Sequence, residues 1–580
     1  MTDVPGARAP SPARAWRAAA LALFAALALG LVTRAVFARA YPLVDVGLRL
    51  GREEVMARAR ALAARDGLAA PSARAAARFA SDEGLATYVD LAAGGRDAVR
   101  ALAAAAVVAL YAWDVRLFVP GDPRQAVVRF APDGRPVGVL RSLAETDARP
   151  AVDEGAGRVA ADSALARWGG GLPISAWRFT AASYTTQPRS GRVDRTYRYT
   201  RAGRAVGGAP VRAEVVVTGA DTSRGVGGAE VLGVRSFVDV PETWTRRYGE
   251  MRASNDLYAN LSTPGVLVFF AGALLALVRL RDQVRWRPAL AVGALVGVLM
   301  MLSALNAIPL GWFGYDTATP TGSFLALNVI GAVAAGVATT LFVGGSVAAA
   351  ELLTRRAFPH QADWYGFVRH RGTGEVAAHV VGGYALAALG FAYVSLFYLA
   401  TRTTLGWWVP TGSLDDPNQI ATPLPWVSAI GTALFAGVWE EAVFRAVPLA
   451  LLSLWVGRRP SRRWWMALGV VVTALVFGFG HANYPSWPAY SRGVELFLEA
   501  AFWAVLYLTA GLPITIVGHV LYDLAWFGLF ALHGEGAAYR TTAAVVIGAG
   551  LLPALLVAQG ALAWRHARAA GRAPAEVPPR

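Results

Sequence analysis

The chain has 580 residues, 55% of them hydrophobic and only 16% charged, with a formal net charge of +16. A soluble globular chain is about 25% charged, so this balance excludes a string of soluble domains. The absence of cysteine and of lysine (all 55 basic residues are arginine) excludes disulfide frameworks, thiolate metal sites, cysteine nucleophiles, Schiff bases and Ser–Lys dyads, and points to a G+C-rich bacterial genome.

In chain order, Arg8, Arg14 and Arg17 precede an apolar stretch at 18–33, which Arg34 follows. This reads as an uncleaved signal anchor with Arg34 at the interface, although the small-residue triplet Ala38-Arg39-Ala40 leaves a cleaved signal peptide open. Between 41 and 262 nothing is long enough to span a bilayer, and the apolar run at 101–113 reads as a buried helix or strand. Helical patterns fall at 50–65 and 157–168. Strand patterns fall at 115–119, 126–130, 137–140, 195–200, 211–218 and 231–238, with a turn signal at Pro132-Asp133-Gly134. The region is an α+β domain. Its helix-then-strand order is similar to that of PepSY-type domains, although no motif carries that likeness, and no internal repeat is visible.

From residue 264 the pattern is that of membrane spans, at 264–280, 288–308, 324–353, 377–400, 425–457, 464–482, 493–509, 512–532 and 541–564. Arginines crowd one set of connections: Arg279, Arg281, Arg285 and Arg287; Arg355, Arg356, Arg369 and Arg371; Arg458, Arg459, Arg462 and Arg463; Arg565, Arg568 and Arg572. The alternate connections hold little beyond Arg402, Arg492 and Arg540. By the positive-inside rule both termini are cytoplasmic and the 41–262 region is extracytoplasmic. The expected fold is a polytopic α-helical membrane protein of about ten transmembrane helices, with an α+β extracytoplasmic domain inserted after the first. The expected location is a bacterial inner membrane. The divisions are 1–40 (cytoplasmic tail and first span), 41–262, 263–376 (spans two to four with a basic loop), 377–564 and a 565–580 cytoplasmic tail. The basic loops match anionic lipid headgroups and call for no nucleic acid.

Ionisable side chains inside spans are costly, at least roughly 2.5–3.5 kcal/mol at the bilayer centre, and mark candidate sites. Three clusters qualify: Glu440-Glu441-Ala442-Val443-Phe444-Arg445, Phe477-Gly478-Phe479-Gly480-His481, and His519-Val520-Leu521-Tyr522-Asp523. Glu441 and Arg445 share a helical face as an i,i+4 pair, which turns Glu440 about 100° away. His519 and Asp523 share a face by the same spacing. One awkward feature is depth: His481 sits about 25 Å along its helix from Trp464, near the end of its span, whereas Glu440 and His519 fall near the middle of theirs. Glu495, Glu499 and His379 read as interfacial.

In these three clusters the chain resembles the CAAX-protease and bacteriocin-processing (CPBP, or ABI) intramembrane endopeptidases, whose pattern is E-E-x-x-x-R, then F-x-x-x-H, then H-x-x-x-N or D. The likeness covers roughly residues 377–532 and makes 377–564 a protease core. It implies hydrolysis of peptide bonds in membrane-anchored peptides or proteins. Glu440 would be the general base, His481 would hold the water, and His519 with Asp523 would stabilise the oxyanion or orient the carbonyl. Glu441, Arg445 and Phe477 would give structural support. Asp523 stands where Asn would donate a hydrogen bond, so it orients His519, stays protonated or binds a metal. Glu440, His481, His519 and Asp523 also supply nitrogen and oxygen donors for zinc, and a metal-free glutamate mechanism stands equally open. Other intramembrane proteases fit worse. There is no His-Glu-x-x-His and no Gly-x-Gly-Asp, and Gly344-Gly345-Ser346 reads as a packing patch. The alternative to an enzyme is a noncatalytic membrane scaffold or receptor whose outer domain binds a partner. Oligomeric state is not legible.

Overall fold

The computed structural model describes residues 12–41, 47–105, 107–221, 228–361, 365, 373–410 and 416–569. Arg8, Arg369, Arg371 and Arg572 lie outside the described residues. Among the described residues, ten helical segments are long and apolar enough to cross a membrane, one for each span read from the sequence. The first, α1 (Pro12–Ala40), leads into a sheet domain, and the other nine follow it.

The sheet domain contains α2 (Arg52–Asp66), β1 (Arg74–Ser81), α3 (Glu83–Ala92), α4 (Gly95–Ala105), β2 (Tyr111–Phe118), β3 (Gln125–Phe130), β4 (Pro136–Ser142), α5 (Glu154–Trp168), β5 (Trp177–Thr186), β6 (Val193–Val206), β7 (Ala209–Gly219) and β8 (Ala229–Val238). The strands form one antiparallel eight-stranded sheet in the order β1-β2-β3-β4-β8-β7-β6-β5. Each half opens with a helix and lays four strands inward from the sheet edge in chain order, with α3 and α4 inserted between β1 and β2 in the first half, and the two halves meet where Val139 and Leu140 pair with Val234 and Gly233. The sequence shows no repeat, yet the topology has this two-fold plan, because antiparallel pairing depends on alternation and not on residue identity.

Two strands escape the sequence patterns. β1 is alanine-rich and helix-prone by propensity, but it pairs along its whole length with β2, whose eight residues are all buried. β5 is an edge strand that is exposed beyond Trp177, so it carries no apolar alternation. The run at 101–113 divides between the end of α4 and the start of β2.

β2 shows how the domain is held. Trp113, Val115 and Leu117 point into a core shared with α2, α3 and α5. Asp114, Arg116 and Phe118 point the other way by the two-residue period of a strand. Asp114 accepts from Arg129 Nε at 2.7 Å and from Arg78 Nη2 at 3.1 Å. Arg116 donates to the carbonyls of Phe313 (2.9 Å) and Tyr315 (2.6 Å). Arg74 and Arg78 lie over the rings of Trp312 and Phe313.

The membrane part comprises α6 (Glu242–Asn260), α7 (Thr263–Arg279), α8 (Trp286–Asn306), α9 (Ile308–Gly311), α10 (Thr321–Ala357), α11 (Gly374–Leu405), α12 (Pro425–Glu441), α13 (Val447–Val456), α14 (Arg462–Gly480), α15 (Ser491–Ala510), α16 (Leu512–His533) and α17 (Ala537–Ala569). Small residues let backbones meet, as expected where lipid removes the hydrophobic drive between helices. A methyl group on Gly293 or Gly297 of α8 would strike the backbone of α10 at Thr340 and Gly336. Gly344 lies in this same contact, against Leu290. α1 packs beside α11: Ala19 clusters with Val376, Ala377 and Val380, and Phe37 meets Phe391. Arg96 Nη1 of α4 donates to Ala40 O at 3.1 Å, and Ala40 is only 2% exposed.

Every one of these contacts between sheet domain and helices lies at one end of the bundle. Tyr539 donates to Leu50 O, and Trp408 Nε1 to Asp90, at that same end. The connections there are the arginine-poor ones.

Candidate active site

α12 ends in Trp439-Glu440-Glu441, and the next five residues, Ala442–Ala446, form a single π-helical turn before α13. Val447 N–H bonds Ala442 O, five residues back. Pro448 lacks the N–H that would bond the Phe444 carbonyl, which favours the wider turn here. Such turns are frequent at functional sites.

Glu441 is fully buried. Its Oε1 accepts from His519 Nδ1 at 2.8 Å and forms an ion pair with Arg445 Nη1 at 3.1 Å. The guanidinium of Arg445 lies 3.8 Å over the Phe477 ring, and the Trp503 ring meets that of His519 edge-on at 5.2 Å. A carboxylate only accepts, so His519 carries a proton on Nδ1. Its Nε2 faces Glu440 Oε2 at 3.8 Å and Asp523 Oδ2 at 3.6 Å. The structure thus gives Glu441 the task of holding the His519 ring, in addition to its pairing with Arg445. Glu441 occupies the Nδ1 side of the ring and Asp523 stands on the Nε2 side.

His481 follows Gly480 at the end of α14, and its Nδ1 lies 2.8 Å from Phe477 O. That carbonyl accepts a hydrogen bond from Nδ1–H, which leaves the neutral ring's lone pair on Nε2. A cavity of about 590 Å³ is lined by Glu440, His481, Trp439, Phe444, Gly480 and Asn483 on one side, and by Asp256, Ala259, Asn260, Ser262, Thr263 and Val266 on the other. Glu440 and His481 therefore share one cavity, while His519 and Asp523 stand behind Glu440.

The depth mismatch resolves through helix length. α14 has 19 residues, whereas the span made by α12 and α13 has 32, or about 28 Å against about 48 Å. α14 stops short within the bundle, and its end meets the middle of its longer neighbour.

Among the described residues, no three His, Asp or Glu side chains are disposed to hold a metal ion. His519 bonds Glu441 through Nδ1 and His481 bonds Phe477 O through Nδ1, so each ring keeps Nε2 as the one nitrogen a metal ion could take.

Two features escaped the sequence reading. The first is the wall of the cavity made by α6 and α7. The second overturns the interfacial reading of Glu495 and Glu499. Glu495 is fully buried, takes the Tyr398 hydroxyl at 2.8 Å on Oε2 and pairs with Arg492. Both carboxyl oxygens of Glu499 are buried without a hydrogen-bond partner. Packing against α11 removes water from this face of α15, and Gly390 makes room for Glu499 there. The signal was available: Glu495 and Glu499 recur at four-residue spacing inside a span, three residues on from Arg492 at its edge. His379, also read as interfacial, sits at the start of α11 with Nε2 2.9 Å from Ala510 O.

Residues 422–525 match the family model described as Type II CAAX prenyl endopeptidase Rce1-like. This stretch is a CPBP-family domain. It begins just before α12 and ends two residues past Asp523, so all three motif clusters lie inside it. The CPBP domain excludes the sheet domain and also the α6–α7 wall of the cavity. Comparison with curated proteins and with solved structures gives no match.

Proposed function

We propose that this chain is an intramembrane endopeptidase in which Glu440 activates water against a peptide bond of a membrane-anchored peptide or protein. One observation carries the reading: Glu440 and His481, from two different helices, line a single cavity. The water donates one hydrogen to Glu440 and the other to Nε2 of His481. As its oxygen bonds to the carbonyl carbon, Glu440 takes up the proton. The developing oxyanion requires a donor; the role is assigned to His519 Nε2 in its imidazolium form, steadied by Glu441 at Nδ1, and it requires Glu440 to turn aside, because Nε2 lies 3.8 Å from Glu440 and outside the cavity lining. Collapse breaks the C–N bond, and Glu440 returns its proton to the leaving nitrogen. No step passes through a metal.

The sheet domain is proposed to be extracytoplasmic and both termini cytoplasmic, in a bacterial inner membrane. Supporting this, the domain contacts the bundle at its arginine-poor end, and cytoplasmic connections are the arginine-rich ones.

The test is a mass-spectrometric comparison of membrane-protein N termini from cells expressing the wild type and Glu440→Gln. Termini present only with the wild type are expected. Identical termini at matched expression would overturn the reading in favour of a scaffold or receptor. Purified wild-type protein is expected to keep cleaving those substrates after chelation, whereas loss of activity restored by zinc would assign the water to a metal.

A further inference from the structure

The proposed reaction leaves open which peptides reach Glu440, and the far wall of the cavity bears on that. This inference rests on the endopeptidase reading.

α6 and α7 run on as a helical span of 38 residues, or about 57 Å. A hydrocarbon core of about 30 Å accommodates α7 alone, so α6 projects from the bilayer on the sheet-domain side. The cavity lies where the two meet. Its polar rim carries Asp256 and Asn260 from α6, and its apolar depth carries Val266 from α7 with Phe444 and Trp439. Such a cavity matches a chain that changes from apolar to polar as it leaves the membrane.

The charge of the lining is one-sided. Its ionisable members are two carboxyl groups, Asp256 and Glu440, and the imidazole of His481, with no arginine. Asp256 is exposed, and no arginine pairs with it among the described residues. Of the neighbouring arginines, Arg492 pairs with Glu495 and Arg445 with Glu441, while Arg252, one turn before Asp256, donates to the neutral acceptors Asn483 O at 2.6 Å and Asn255 Oδ1. An unpaired carboxylate at a half-apolar rim attracts a cationic side chain and repels an anionic one.

We infer that Asp256 is a specificity-determining residue, and that the substrates are membrane-anchored segments with an arginine or lysine just beyond the sheet-domain end of their apolar stretch, cut near that boundary. Because α6 follows directly from the last strand of the sheet domain, the selecting wall belongs to the part of the chain outside the CPBP domain.

The experiment uses the purified full-length protein in lipid vesicles with synthetic single-span peptides. These carry Arg, Ser or Glu at successive positions past one end of the apolar segment, and cleavage rate and cut site are read by mass spectrometry. The wild type is expected to cleave the best Arg peptide about tenfold faster than its Glu counterpart, the combined scale of one exposed ion pair gained and one exposed like-charge contact avoided. Asp256→Asn should bring the two rates together, and Asp256→Arg should invert their order. Cleavage that needs Glu440 but ignores peptide charge, or keeps its preference in Asp256→Asn, would overturn this inference alone. If no peptide is cut faster than by Glu440→Gln, the endopeptidase reading falls with it.

Discussion

Glu441 is the side chain on which the other site residues converge. Its one engaged oxygen holds Arg445 from its own helix and His519 from α16, so it joins two spans at the depth where the chemistry is proposed to occur. Removing one member of a buried ion pair costs about 3–5 kcal/mol, because the partner's charge is left behind. Glu441→Ala should therefore lower the unfolding temperature in detergent and abolish cleavage. Glu441→Gln, which keeps an acceptor oxygen, should regain part of the stability but little activity. Unchanged unfolding in Glu441→Ala would remove the structural half of this role. The i,i+4 pairing with Arg445 was legible in the sequence. The bond to His519 was not, because 78 residues separate the two and no spacing rule reaches that far.

Among the elements, the approach of α12 to α16 sets the Glu441–His519 distance. Gly437 permits it: a Cβ there would come within 2.8 Å of Val520 N. Gly437→Ala should push the helices apart and reduce cleavage at least tenfold. Gly345→Ala, whose Cβ would meet nothing within 4 Å, should be neutral, or gain about 0.5–1 kcal/mol from helix propensity. Equal activities in the two variants would show that the contact is slack. In the sheet, Glu214 of β7 bridges Arg198 of β6 and Arg235 of β8, each at 2.9 Å. Burial pushes its carboxyl up, but the hydrogen bonds from both arginines outweigh burial and hold it below its ordinary value. A depressed folded-state pKa contributes stability above the unfolded value, about 4.3, which is lost as pH falls through the folded value. Acid titration of wild type against Glu214→Gln should show the wild type losing more stability below about pH 4; parallel curves would count against the bridge.

At the scale of the whole molecule, sheet domain and bundle are stitched at one end by Arg116 on the Phe313 and Tyr315 carbonyls, by Trp408 on Asp90 and by Tyr539 on Leu50. The natural chain has no cysteine, so a single introduced thiol reports side without background. In intact cells, a membrane-impermeant maleimide should label Thr185→Cys on the exposed edge strand and spare Arg458→Cys until the membrane is opened. The reverse pattern would invert the topology. The contact with Arg96 buries Ala40, the last residue of the small-residue triplet, while Ala38 and Arg39 stay exposed; because α1 packs along α11, it should be retained in protein isolated from membranes.

What the sequence by itself determined follows from local and compositional physics. Bilayer thickness makes an apolar run of the right length a span, and desolvation makes a charge inside a span conspicuous. Thus the ten helices and the clusters at Glu440, His481 and His519 were legible. Strands with alternating burial were legible too, whereas β1 and β5 were not, because pairing alone holds them. Only tertiary structure decided that Glu441 grips His519, that α14 ends deep enough to bring His481 to Glu440, that Glu495 and the carboxyl oxygens of Glu499 are buried, and that α6 and α7 close the cavity. Each of these depends on which helix lies beside which, and in a bilayer that choice rests on glycine contacts and long-range hydrogen bonds that leave no period in the sequence.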